Sequence, residues 1–461
     1  MSSRAARRET IRSANSKPWG VFAASILVIG AAIAFGGASR ENPIRLAIVE
    51  FASLPLALWG LRNLLLHQGW KGATIPLAIF AAIVLIPLIQ VTPLPSGAWT
   101  HLPGQAPRLT ALELGGLAPP WEPISLYPSA TLATIPALFP PGAVFLGALS
   151  LTRVQIRSLA LVWIGGAAAG LALGIFQIAM PDGGPAYLYK TTNTGSVVGF
   201  FANHNHEAGF LLALMPLAAC LGAGPIRASQ RNRARPWRGW LVGLYFILAI
   251  VALGVIRSRA GVILTAPAAL ASVGLMWWTS PSRDARRLTG ALAAMIVFAA
   301  AAVALFALTP ILRRFSGGAG EELRFRVWPI LAHAASGCLP FGAGLGAFDR
   351  VFRAVEPLSL VAPAYFNHAH NDFLEIWLET GAMGAAVFSA FLAWLLSRAR
   401  VVTLSHDELG AGALLAMIIL LACSTVDYPL RTETLATLFA FCAAIVARAR
   451  PAGHGEERTG A

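Results

Sequence analysis

Charge is what the chain has least of: Asp, Glu, Lys and Arg make up only 12% of its 461 residues, against about 25% in a soluble globular domain. That shortage excludes a water-soluble protein of one to three domains. Cysteine is nearly as sparse. Cys220, Cys338, Cys423 and Cys442 have no paired spacing, and three sit in apolar stretches, which excludes a disulfide framework and a metal knuckle. Acidic residues are the scarcer sign, 21 against 35 basic, a balance of +14. In a soluble chain such a surplus would point to nucleic acid. In an apolar one, the tendency of Lys and Arg to collect in cytoplasmic loops accounts for it. No small-residue cleavage site follows the first apolar run, so that run is expected to be retained.

What the chain has instead is apolar length. A helix needs about 20 mostly apolar residues to cross the bilayer, and such stretches run at 19–38, 44–65, 72–92, 130–149, 158–180, 206–224, 239–256, 260–279, 289–309, 372–396, 409–427 and 433–448. The fourth is interrupted by Pro140 and Pro141 and is the weakest. The expected fold is an all-α polytopic membrane protein with about twelve transmembrane helices. With the N-terminus cytoplasmic, 22 of the 35 basic residues fall in inner segments, among them Arg4, Arg7, Arg8, Arg153, Arg157, Arg398 and Arg400, and both termini lie inside. The Arg-rich 225–238 loop is then a topology anchor. The organisation predicted is a basic cytoplasmic tail over 1–18, nine spans over 19–309 with non-cytoplasmic loops near 93–129 and 181–204, a large non-cytoplasmic loop over 310–371, three spans over 372–448, and a cytoplasmic tail over 449–461.

Long loops without a role are uncommon. The 310–371 loop carries Arg313, Arg314, Arg324, Arg326, Arg350 and Arg353, and Arg257 and Arg259 stand at the outer end of span seven. Eight arginines on the face that the topology rule disfavours point to an anionic ligand, since guanidinium forks match phosphate oxygens. Pairing within the loop to Glu321, Glu322, Asp349 and Glu356 is the plainer explanation. The loop ends in His368-Ala369-His370-Asn371-Asp372, leading into span ten. On a helix continued through His370, Gly381 and Gly384 lie on its stripe at about 20° and −40°, where small residues admit a close neighbour. Asp372, Glu375 and Glu379 fall on the opposite face. Glu379, more than two turns into the span, either partners an outer arginine or is a structural acid. A histidine at the membrane surface is suited to moving a proton near neutral pH; the bland alternative is an interfacial cap.

His370-Asn371, nine residues, Gly381, two residues and Gly384 together resemble the signature of the O-antigen ligase family, bacterial membrane glycosyltransferases grouped with O-antigen polymerases and protein O-oligosaccharyltransferases. Phe201-Ala202-Asn203-His204-Asn205 resembles that family's Asn-rich entry to a central span, Ser258-Arg259-Ala260-Gly261 its Ser-Arg turn, and Arg324, Trp328 and the run Pro340 to Gly346 its large periplasmic loop. The resemblance covers about 195 to 385. It implies a GT-C-like fold in the bacterial inner membrane and transfer of a glycan from undecaprenyl diphosphate to an acceptor hydroxyl. It also implies catalytic roles for Arg324, His370 and Arg259. Arg326 competes with Arg324, and His368 shadows His370. Asn371, Asn203, Asn205, Arg257 and Glu379 are further candidate substrate contacts.

The chemistry asks for such residues. Negative charge on the leaving diphosphate must be stabilised, and positioned arginines do this without metal; the acceptor hydroxyl must lose a proton to a base. No cofactor and no metal is expected, and the partners expected are a lipid-linked glycan, lipid A–core or another glycan acceptor and the bilayer, with no nucleic acid. Two rivals remain. His204-x-His206 and His368-x-His370 could gather four imidazoles on zinc, with Glu207 nearby. Alternatively the protein is a flippase or transporter, although no repeat relates its halves and its polar residues gather at one face, unlike a midplane transport site. Ligation onto lipid A–core is preferred to repeat polymerisation and protein O-glycosylation, because the His-Asn-to-glycine spacing follows the ligase pattern in full.

Overall fold

The computed structural model describes residues 19–39, 42–66, 73–180, 183–228, 237–256, 258–279, 283, 286–287, 289–291, 293–298, 301, 319–361 and 366–449. Arg257, Arg313 and Arg314, the 1–18 tail and nearly all of the 449–461 tail lie outside the described residues, as does most of the 225–238 loop. The helices are α1 (Trp19–Phe35), α2 (Pro43–Leu66), α3 (Thr74–Val91), α4 (Ser96–Trp99), α5 (Ala106–Leu114), α6 (Pro128–Thr134), α7 (Phe139–Ser150), α8 (Arg153–Ala179), α9 (His204–Ala228), α10 (Trp237–Ile256), α11 (Arg259–Thr279), α12 (Ala319–Ser336), α13 (Phe348–Val355), α14 (Asp372–Leu404), α15 (Glu408–Cys423) and α16 (Glu433–Ala447). Two residue pairs, Pro93↔Pro123 and Leu94↔Glu122, form a minimal antiparallel ladder.

Among the described residues six helices are long and apolar enough to cross a membrane, and only 22–39% of their apolar windows is buried inside the protein. The remaining apolar surface faces outward, which suits lipid as the solvent. Among them is the stretch Pro128–Ser150, because Pro140 and Pro141 fall in the first turn of α7, where no intrahelical N–H is needed. Trp19–Phe35, Leu241–Ile256, Thr289–Phe298, Glu408–Cys423 and Glu433–Ala447 are apolar but shorter. Among the described residues, helix falls within each of the apolar stretches, and six helices meet both the length and the apolar composition of a span.

The bundle is built round α9. Every residue from His206 to Cys220 is buried, as expected of a helix that is apolar nearly all round, and α8, α10, α11 and α15 pack on it. Further out, α16 packs on α7 and α15, α7 on α2, and α2 on α1. The large loop is itself structured. Val327, Leu331, Phe348, Phe352, Ala369 and Leu378 form a second apolar core joining α12 and α13 to the start of α14.

Two expectations about α14 change. The helix starts after His370, which has φ 49°, and Asn371 caps it, its Oδ1 accepting from the N–H groups of Phe373 and Leu374 at 3.1 Å. It breaks again at Gly381, where φ is 57° and ψ −140°. A wheel drawn through His370, Gly381 and Gly384 therefore has no single axis. What approaches closely at the break is the Gly-rich loop rather than a helix. Ala343 and Gly344 donate to the carbonyls of Leu378 and Glu379 at 2.9 and 3.0 Å, and Ala382 donates to Pro340 at 2.8 Å. Gln90 of α3 clamps the same place, bonding the carbonyls of Phe341 and Glu379 and the N–H of Leu345.

Gly342 sits at φ 75°, and a Cβ there would collide with the Glu379 carbonyl. Gly342→Ala is expected to destabilise by about 1–3 kcal/mol, read as a lower midpoint of thermal unfolding in detergent. An unchanged midpoint would contradict this packing.

Candidate active site

The starts of α9, α11, α14 and α16 and the end of α15 lie near one another, joined by His206 and His370 to Asp427, Ser424 and Arg431 to Asp372, and Gly261 against Ala208. The candidate side chains collect there. His370 lies in the loop before α14, in the left-handed backbone region that few residues other than glycine, asparagine, aspartate and histidine enter. Its Nδ1 lies 3.0 Å from Oδ1 of Asp427, in the short segment between α15 and α16. A carboxylate only accepts, so Nδ1 carries the hydrogen, which in the neutral tautomer of the ring leaves the lone pair on Nε2. The imidazole is 15% exposed, whereas Asp427 is almost wholly enclosed. Asp427 Oδ1 also accepts from the Tyr428 N–H at 3.0 Å, and Asn203 Nδ2 reaches Oδ2 at 3.5 Å. Burial alone would push the Asp427 carboxyl up; the hydrogen bond and charge of His370, with the charges of His206 and Arg324, outweigh it and hold the carboxyl well below the usual range.

Arg324 comes from α12. Its guanidinium donates to the carbonyl of Val426 at 3.3 Å, one residue from Asp427. Arg326, two positions on and so about 200° round the helix, is exposed. The structure thus turns one of the two competing arginines to the segment that carries Asp427 and leaves the other exposed. Arg259 opens α11 half-buried, and its neighbour Gly261 packs on Ala208 of α9. That brings Arg259 to the same end of the bundle.

His368 and His370 have different surroundings. His368 is 1% exposed, and its Nδ1 lies 2.8 Å from Glu375 Oε1, while Glu375 Oε2 accepts from the Ala369 N–H at 2.8 Å. This clamp fixes the turn that presents His370. The ring of Tyr428 lies between three imidazoles, with centroid distances of 4.8 Å to His206, 4.2 Å to His368 and 4.9 Å to His370. Three of the four histidines weighed for zinc therefore do converge. Among the described residues, however, no three His, Cys, Asp or Glu side chains are placed to share a metal ion.

Glu379 has a definite place. Its Oε2 accepts from Arg431 Nη1 at 2.7 Å and its Oε1 from the Phe348 N–H at 3.2 Å, so it is both the partner of an outer arginine and a structural acid. Arg431 also lies 3.6 Å from Asp372 and 3.7 Å from Glu375. These contacts engage Glu379 with the protein's own groups. The asparagines are likewise engaged: Asn371 caps α14, and Asn203 Oδ1 accepts from the Asn205 N–H at 2.9 Å as α9 starts.

Sequence reasoning missed Asp427, Tyr428, Glu375 as the clamp on His368, and Arg431 as the centre of the acidic cluster. The signal for the first two was present in Ser424-Thr425-Val426-Asp427-Tyr428, a polar break between two apolar stretches. Span eleven was drawn through it to 427, whereas α15 stops at Cys423. Beside the site lies a cavity of about 900 Å³ walled by Ile79, Phe80, Ile83, Phe391, Trp394 and Phe439, with His368 and Arg431 on its boundary.

Residues 244–389, from within α10 into α14, match the family model described as O-antigen ligase. This stretch contains Arg259, Arg324, His370 and the Gly-rich loop, as the motif resemblance implied. The match supports glycan transfer in a membrane as the class of activity. No curated relative matches the chain.

Proposed function

From the O-antigen ligase family as premise, we propose that this protein transfers a glycan from undecaprenyl diphosphate to an acceptor hydroxyl at the periplasmic face of the bacterial inner membrane, with lipid A–core as the acceptor. The observation that carries the reading is the His370–Asp427 pair beside Arg324, at a partly exposed end of an otherwise apolar bundle. On a twelve-span topology with both termini cytoplasmic, which the distribution of basic residues in the sequence supports, this end faces the periplasm.

His370 Nε2 takes the proton of the acceptor hydroxyl. The hydroxyl oxygen bonds to the anomeric carbon of the donor, and the electron pair of the broken bond goes to the bridging oxygen of undecaprenyl diphosphate. Asp427 keeps the imidazole in the required tautomer and stabilises it once charged, as the acid of a catalytic triad does. Arg324 and Arg259 meet the diphosphate, and the N-terminal ends of α9, α11, α14 and α16 add partial positive charge on the same side. Arg326, being exposed, is assigned a contact with the glycan further out. The apolar cavity bounded by His368 and Arg431 suits the polyprenyl chain, whose length is hydrocarbon and whose head would emerge at the site.

Because guanidinium groups supply the positive charge, transfer by purified protein is expected to persist in a chelator. Loss of transfer in chelator, restored by one added divalent ion, would replace this scheme with the metal one. In cells, deletion is expected to leave full-length glycan on the lipid carrier. Single-repeat products would instead mean a polymerase, and unmodified proteins an O-oligosaccharyltransferase. Product formation in detergent, where vectorial movement has no meaning, separates all three from a flippase.

A further inference from the structure

His206 lies one helical residue past the asparagine-rich entry to α9. It is 2% exposed, and neither of its ring nitrogens has a hydrogen-bond partner. Its Nε2 lies 4.0 Å from Asp427 Oδ1, the atom that His370 bonds at 3.0 Å. Its ring meets Tyr428 edge-on and Phe201 at 6.4 Å. A buried polar group without a partner destabilises the fold that contains it, and a leucine of similar size would fill the same space without that penalty. The place of this imidazole is therefore explained by what it does to Asp427 and not by packing.

We propose that His206 is a positioning residue that sets the basicity of His370 through their shared carboxylate. Asp427 stands between two imidazoles. The nearer holds its hydrogen bond, and the further turns Nε2 toward the same oxygen at 4.0 Å, where an Nε2–H withdraws part of the carboxylate's charge. The more strongly Asp427 is held from the His206 side, the less it stabilises a proton on His370, and the lower the pH at which His370 remains an available base. The charged and titratable groups around the pair are His204 and Glu207 on α9, His368 before α14, Tyr428 after α15 and Arg324 on α12. Of these, His368 is engaged by Glu375. Glu207 is the adjacent residue on the fully buried helix and lies against Gly170 and Gly199.

The inference rests on the reading of His370 as the general base. Its test is the pH dependence of kcat for the purified full chain in detergent, with undecaprenyl-diphosphate-linked glycan and lipid A–core, in wild type, His206→Leu and His206→Gln. Removing the imidazole is expected to move the acid limb to higher pH by about 0.5–1, a loss of about 3- to 10-fold at a fixed pH on that limb. Thermal stability should stay level or rise. The glutamine, whose amide N–H can face Asp427, is expected to return the limb toward wild type and also serves if the leucine variant fails to fold. An acid limb that stays in place or moves to lower pH overturns the inference, as does an upward move that glutamine does not reverse. A wild-type profile with no acid limb would instead overturn the reading of His370 itself.

Discussion

Asp427→Asn is expected to lower kcat by about 10²–10⁴-fold, with KM for the lipid-linked donor nearly unchanged. Asp427 makes no contact assigned to substrate, but it fixes which nitrogen of His370 holds the hydrogen, through the 3.0 Å bond to Nδ1. An amide can turn its NH₂ toward Nδ1. The hydrogen then moves to Nε2, and the nitrogen facing the acceptor has no lone pair. The loss should therefore appear in kcat, as expected for an interaction realised in the transition state. It should also be non-additive: the double variant with His370→Ala should be no slower than His370→Ala alone. Steady-state kinetics on the four proteins provides the check. Equal losses in kcat/KM and in donor binding would mean that Asp427 acts by holding the site's shape.

Arg431→Met is expected to have the largest effect on stability. Among the described residues the guanidinium is the only cation within 4 Å of Glu379 and Asp372, and Glu375 shares it with His368. All three carboxylates are at most 1% exposed. Removing one partner of a buried ion pair leaves an uncompensated charge, at about 3–5 kcal/mol, and here three acids lose the same partner. The consequences would spread along the bonds already described. Glu379 anchors the Phe348 N–H, Glu375 the turn before His370, and Asp372 bonds Ser424 Oγ at 2.8 Å in the segment leading to Asp427. Unfolding in detergent should begin well below the wild-type midpoint, and adding Glu379→Gln should recover part of the difference. A wild-type midpoint for Arg431→Met would show that these acids are neutral and need no cation.

The same residues mark how far the sequence could be read. Apolar length located the helices of the described residues, six of them long and apolar enough to span, because crossing hydrocarbon leaves a composition signal in the segment itself. Arg324 and His370 were legible for a related reason, as charged and titratable groups placed against the topology rule. Asp427 and Arg431 were not, because their meaning comes from contacts made across 57 and 52 positions. An acid or an arginine at a span end is ordinary until its partner is known. The wheel through His370 failed on local backbone. Asn before Asp372 is a strong capping signal, and reading it would have ended the helix one residue short of the histidine. The break at Gly381 had no such signal: only the packed Gly-rich loop tells this glycine from one that admits a neighbouring helix. Arg324 and Arg326 are separated by helix geometry, but assigning the face required the fold.

The central claim is that His370 is the base of a glycan transfer assisted by arginines. It is tested most directly by purified His370→Ala, in detergent with undecaprenyl-diphosphate-linked glycan and lipid A–core, measured beside wild type for product and for donor binding. The account predicts that product formation falls by about 10²–10⁴-fold while the donor still binds through Arg324 and Arg259. Full transfer by His370→Ala would contradict it.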